Sequence, residues 1–97
     1  MGGNSRCSWD DGKRERNLAN HGYDFADLED AFDGRFCLTR RDARKDYGEE
    51  RYNRLVEFKG RVLNITFTPR AGRFHLISVR PASREERTVY HAKNAPP

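Results

Sequence analysis

The chain has 97 residues, 35% of them charged and 35% hydrophobic, which suits one domain with a small core. An aromatic content of 11% argues against disorder, and no apolar run approaches the ~18 residues of a membrane helix. The net charge of +4 is unevenly divided: residues 1–34 carry four basic against eight acidic side chains, residues 35–97 fifteen against seven, and twelve of those fifteen are arginine.

Residues 1–5 read as a disordered tail with no apolar segment of the kind a secretory leader needs. A single domain is expected over 6–92, followed by a frayed tail over 93–97. Residues 6–9 read as a short strand. Asp10 or Asp11 then caps a helix that runs to Asn20 and stops at His21-Gly22, where Gly22 takes the left-handed position. Lys13, Asn17 and His21 fall on one stripe of this polar helix. Asp24 caps a second helix, with Phe25, Leu28 and Phe32 on its apolar side and an end at Asp33-Gly34.

Residues 35–39 form a strand, and 40–50 have no period and read as a charged loop. Residues 51–58 form the next strand and turn at Lys59-Gly60. Residues 62–68 follow, with Leu63, Ile65 and Phe67 on one face. A loop over 69–73 leads to the last strand, 74–80. Matching the two apolar faces sets Leu63 opposite Val79, Ile65 opposite Ile77 and Phe67 opposite His75. Ser83 and Glu86 form a capping box that opens a final helix through Ala92. The order β-α-α-β-β-β-β-α describes an α+β domain, a mostly antiparallel sheet with its helices on one face.

The other face of that sheet is expected to be open and to carry Asn64, Thr66, Thr68, Phe74, Ser78 and Arg80. An open face of polar groups and arginine suits RNA. Arginine's planar fork also suits phosphate oxygens better than lysine's point charge. Cys7 and Cys37 form no C-x-x-C pair and read as free thiols, and His21, His75 and His91 have no zinc spacing. Neither a metal nor a cofactor is expected.

Three stretches together resemble the BrnT family of bacterial toxins. Trp9-Asp10, Lys13, Asn17, His21-Gly22 and Phe25 are similar to that family's W-D-x-x-K-x-x-x-N-x-x-x-H-G-x-x-F opening. Gly48-Glu49-Glu50-Arg51-Tyr52 is similar to its second motif. Ile77-Ser78, Arg80, Ala82, Glu86-Arg87 and Tyr90 are similar to its closing one. The resemblance implies a RelE-like ribonuclease fold, a cytoplasmic toxin of a type II toxin–antitoxin pair, and RNA cleavage that inhibits translation. It also implies a BrnA-like, ribbon-helix-helix antitoxin as partner, through which alone the chain would meet DNA.

Metal-free cleavage uses the 2′-hydroxyl as nucleophile and needs a base, an acid and cations on the phosphate. Arg80, ending a strand before a helix N-terminus, is the first candidate cation and Arg51 the second; both are expected on one concave basic face, within reach of one phosphate. Tyr90 and His21 are the candidate acid–base groups, Tyr90 having an alternative role as the anchor of the last helix. Lys13, Asn64, Thr66, Ser78 and Arg73 are candidate RNA contacts. Asn17 and Glu86 read as structural, and Trp9 and His75 as core. The competing reading is a non-catalytic RNA-binding domain, or an inactive toxin homologue that acts in autoregulation.

Overall fold

The computed structural model describes residues 1–44 and 46–95. The strands are β1 (Gly2–Gly3), β2 (Cys7–Trp9), β3 (Cys37–Arg41), β4 (Tyr52–Phe58), β5 (Arg61–Arg70) and β6 (Arg73–Pro81). The helices are α1 (Asp11–His21) and α2 (Arg84–Asn94). β1 lies within the expected tail and pairs antiparallel with β2, while Pro96 and Pro97 lie outside the described residues.

The local signals act as their chemistry requires. Asp10 caps α1 by accepting from the Lys13 amide, and Gly22 closes it at φ 77° with its N–H on the Leu18 carbonyl. Ser83 and Glu86 complete the capping box of α2. The expected second helix is corrected: its place is taken by two 3₁₀ turns, Phe25–Asp27 and Glu29–Phe32. Asp24 does cap the first turn, accepting from the Ala26 amide. Phe25, Leu28 and Ala31, spaced by three, are all buried, a period that suits 3₁₀ geometry. So short a segment gains too little from α-helical propagation to override that packing.

The sheet order is β1-β2-β6-β5-β4-β3. β2 runs parallel to β6, so the sheet is mixed, and the expectation of a mostly antiparallel one is corrected. The parallel pair arises because α1 and three further strands, β3 to β5, intervene between β2 and its partner, returning the chain in the same direction. The β5–β6 register is also corrected. Leu63 pairs with Pro81 and Ile65 with Val79; the register then shifts by one, so that Phe67 pairs with Leu76 and Thr68 with His75. Ile77 is the additional residue of that bulge. β5 and β6 each run further than expected and meet at a two-residue turn, Ala71-Gly72, with φ of 52° and 76°. Positive φ at both positions is the type I′ geometry that matches strand twist.

The bulge moves side chains between faces. Phe74, expected on the open face, packs in the main core, its ring centroid 4.3 Å from that of Phe32. Leu76 rather than Ile77 joins the core, and His75 turns to the opposite face. The main core gathers Trp9, the 3₁₀ turns, and Val56, Leu63, Ile65 and Phe67 on one side of the sheet. A second, smaller cluster of Leu55, Val62, Ala82 and Tyr90 lies on the other side. β4 and β5 carry consecutive apolar residues, Leu55-Val56 and Val62-Leu63, so both sheet faces are apolar there and α2 covers the second one. Helices on one face is therefore corrected. α1 follows the stretch of β6 beyond its pairing with β2, where the Asn17 Oδ1 accepts the Val79 N–H at 3.0 Å in place of a further strand.

Candidate functional site

Beyond α2, the second face of the sheet carries two adjoining rows set by strand pairing. Arg40, Asn53, Thr66 and Ser78 form one, and Leu38, Leu55, Asn64 and Arg80 the next. Further along, Thr68 pairs with His75 and His75 with Ser8, and the exposed Arg70 and Arg73 face each other at the hairpin tip. Arg51 directly precedes β4, in phase with Asn53, and so belongs to the same face. The sheet thus gathers Asn64, Thr66, Ser78, Arg73, Arg80 and Arg51 on one side.

Arg80 grips Glu86 with two hydrogen bonds, of 2.8 and 3.1 Å. The same carboxylate accepts from the Ser83 amide at 2.8 Å and from the Asn64 side-chain amide at 2.7 Å. These donors, the guanidinium first, hold Glu86 at a pKa of about 2, so it is ionised at neutral pH. Glu86 is therefore a structural clamp between β5, β6 and α2. Arg80 remains half-exposed beside it.

At the other end of the face, the Arg51 guanidinium stacks 4.2 Å from the Tyr47 ring centre and bonds Glu49 at 3.3 Å. Arg70 reaches the same carboxylate at 3.1 Å. Arg51 and Arg80 thus turn to opposite ends, separated by roughly 13 Å along the strands and ~10 Å across them. Between them the Thr66 hydroxyl donates to the Asn53 carbonyl oxygen at 2.8 Å, and Asn53 in turn bonds Asp42. Arg44 braces buried Asp42 with two bonds of 2.9 and 2.8 Å, holding that carboxyl well below its usual range.

The remaining candidates stand elsewhere. Tyr90 is 3% exposed in the second cluster, and burial pushes its hydroxyl pKa up. His21 is exposed at the C-terminal end of α1, and Lys13 is half-buried in its first turn. The sequence reading missed Ser8 and His75, whose Oγ and Nδ1 share a hydrogen bond of 2.8 Å. Burial, with Arg70 and Lys13 adding to it, lowers the His75 pKa, which favours the neutral ring. Only the bulge places His75 here, and no local sequence signal marks it. Arg40 and Arg70 were also missed, for the same reason: their face depends on register.

Among the described residues no cluster of three or more His, Cys, Asp or Glu is arranged to hold a metal ion, and no helix is long and apolar enough to cross a membrane. A family model described as the ribonuclease toxin, BrnT, of type II toxin–antitoxin systems matches residues 9–86. Among curated proteins none matches the chain.

Proposed function

The chain belongs to the BrnT family of ribonuclease toxins of type II toxin–antitoxin systems, and from that premise we propose that the second face of its sheet binds single-stranded RNA and cleaves it without a metal. The observation that carries this is the convergence of Arg40, Arg51, Arg70, Arg73 and Arg80 on one sheet face among hydroxyl and amide side chains. Each arginine supplies a planar pair of donors for phosphate oxygens. The separation of Arg51 and Arg80 suits two phosphates more than one nucleotide apart on a strand rather than a single phosphate. In the reaction the 2′-oxygen bonds to the adjacent phosphorus as the bond to the 5′-oxygen breaks. One proton leaves the 2′-hydroxyl and another reaches the departing oxygen, while Arg80 offsets charge on the phosphate between them. Tyr90 serves by anchoring α2, which sets the Arg80–Glu86 pair. We read the antiparallel run β3–β6 followed by a C-terminal helix as a RelE-like arrangement.

A type II toxin has an antitoxin protein as partner. We propose a BrnA-like, ribbon-helix-helix antitoxin that covers the arginine face and competes with RNA in the cytoplasm; opposite charge would speed that association. The test is cleavage of a single-stranded RNA in excess EDTA, with 2′,3′-cyclic phosphate ends as the expected product. Binding of an uncleavable analogue should weaken steeply across a salt series, as counterion release requires. Cleavage that appears only on adding a divalent cation would overturn the metal-free mechanism. A flat salt response would overturn the arginine face.

A further inference from the structure

Between α2 and the second face of the sheet lies a groove of about 350 Å³. Its apolar side is made by Leu38 and Leu55 from the sheet and by Val89, an exposed residue of α2, while Glu86 and Arg44 are among the charged residues that complete the lining. Arg40 and Arg41 stand at its rim, both exposed, and among the described residues neither enters an ion pair. Apolar walls with a few polar groups at the edge are the usual make-up of a small-molecule pocket.

The polar group at the groove floor is Asn64, which is 4% exposed. Its orientation follows from chemistry. The Asn64 Nδ2 faces Glu86 at 2.7 Å, and an ionised carboxylate only accepts, so the amide nitrogen must lie on that side. The Oδ1 is consequently turned away from Glu86, buried and without a hydrogen-bond partner. A buried carbonyl oxygen left unpaired is costly, and most such groups have a partner. Asn53, the other amide beside the groove, is occupied by Thr66 and Asp42. The groove therefore combines a buried, unpaired acceptor of fixed direction beneath its lining, two guanidinium donors at its rim and an apolar side.

We infer that this groove takes up one nucleobase of the bound RNA strand and prefers a base with an exocyclic amino group, such as cytosine or adenine, over uracil. The amino group donates to Asn64 Oδ1, the ring lies between Leu55 and Val89, and Arg40 or Arg41 meets a ring acceptor or the attached phosphate. Solvent does not reach the oxygen, so entry of the base requires side chains that line the groove to move aside. The inference rests on the reading of this face as an RNA surface, and adds to it where a base is held and which base is preferred.

The test uses 2′-O-methyl homopolymers of cytidine, adenosine and uridine, roughly six nucleotides long, which bind but lack the nucleophile. Fluorescence anisotropy should give affinities for the C and A strands about tenfold above that for U, the value of one hydrogen bond. Val89→Trp fills the groove from an exposed helix position and should abolish that preference while leaving U-strand affinity within about twofold. Asn64→Leu should abolish it too. Equal affinity of the unaltered protein for all three strands would overturn the inference and leave the RNA face standing, whereas no binding of any strand would remove both. Val89→Trp that keeps the preference but loses the antitoxin would assign the groove to the protein partner and overturn the inference.

Discussion

Replacing Arg80 by alanine separates its role in RNA contact from its role in holding α2. The change deletes two hydrogen bonds to Glu86, of 2.8 and 3.1 Å, but leaves that carboxylate accepting from the Ser83 amide and from Asn64. The Arg80 and Glu86 side chains are 44% and 22% exposed, so water replaces much of what is lost. The expected cost is about 1 kcal/mol, well short of the 3–5 kcal/mol for orphaning a fully buried charge. In a domain of this size that lowers the thermal midpoint by about 4–8 °C.

The cost should also depend on pH. The Arg80 hydrogen bonds are the largest cause of the Glu86 pKa lying near 2 rather than 4.5. A depressed folded pKa stabilises above the unfolded value, and that contribution is lost as pH falls from 4.5 through about 2. Without Arg80 the folded value moves back toward 4.5, so the two proteins should converge in stability across that window. Urea unfolding at neutral pH and at steps down to the lower end measures this directly, with RNA cleavage followed in parallel. A constant gap at every pH would refute the assignment of Glu86 as the titrating partner. A variant that cleaves RNA at the original rate would remove Arg80 from the mechanism.

Asn17→Ala should cost about 1–3 kcal/mol, because the buried Val79 amide loses its acceptor; faster hydrogen exchange at Val79 would report it. Ile65→Ala, at a position 0% exposed in the main core, should cost about 2–5 kcal/mol in denaturant unfolding followed through Trp9 fluorescence. Ala71→Asn should instead stabilise by about 0.5–1 kcal/mol, because Ala71 sits at φ 52° and asparagine tolerates the left-handed region. An unchanged or lower midpoint would reject that reading of the turn.

The sequence alone determined the features that a few consecutive residues decide. The Asp10 cap, the Gly22 stop and the capping box of Ser83 and Glu86 are local hydrogen-bond choices, legible wherever the residue types stand at the right offsets. The apolar phase of Leu63, Ile65 and Phe67 is equally local, and all three are in the core. The family, too, was legible, since its motifs are read from spacing, and its model spans residues 9–86. Tertiary structure decided which candidates share a surface. Side-chain direction in a strand alternates with every residue, so one additional residue at Ile77 exchanges Phe74 and His75 between core and opposite face. The parallel return of β6 beside β2 brings Ser8 to His75 from 67 positions away. α2 lies over Leu55 and Val62 because both faces of β4 and β5 are apolar there, which closes one end of the face expected to be open and leaves a groove above Asn64. Register, strand direction and helix placement are settled by burial summed over the whole sheet, and no window of sequence contains that sum.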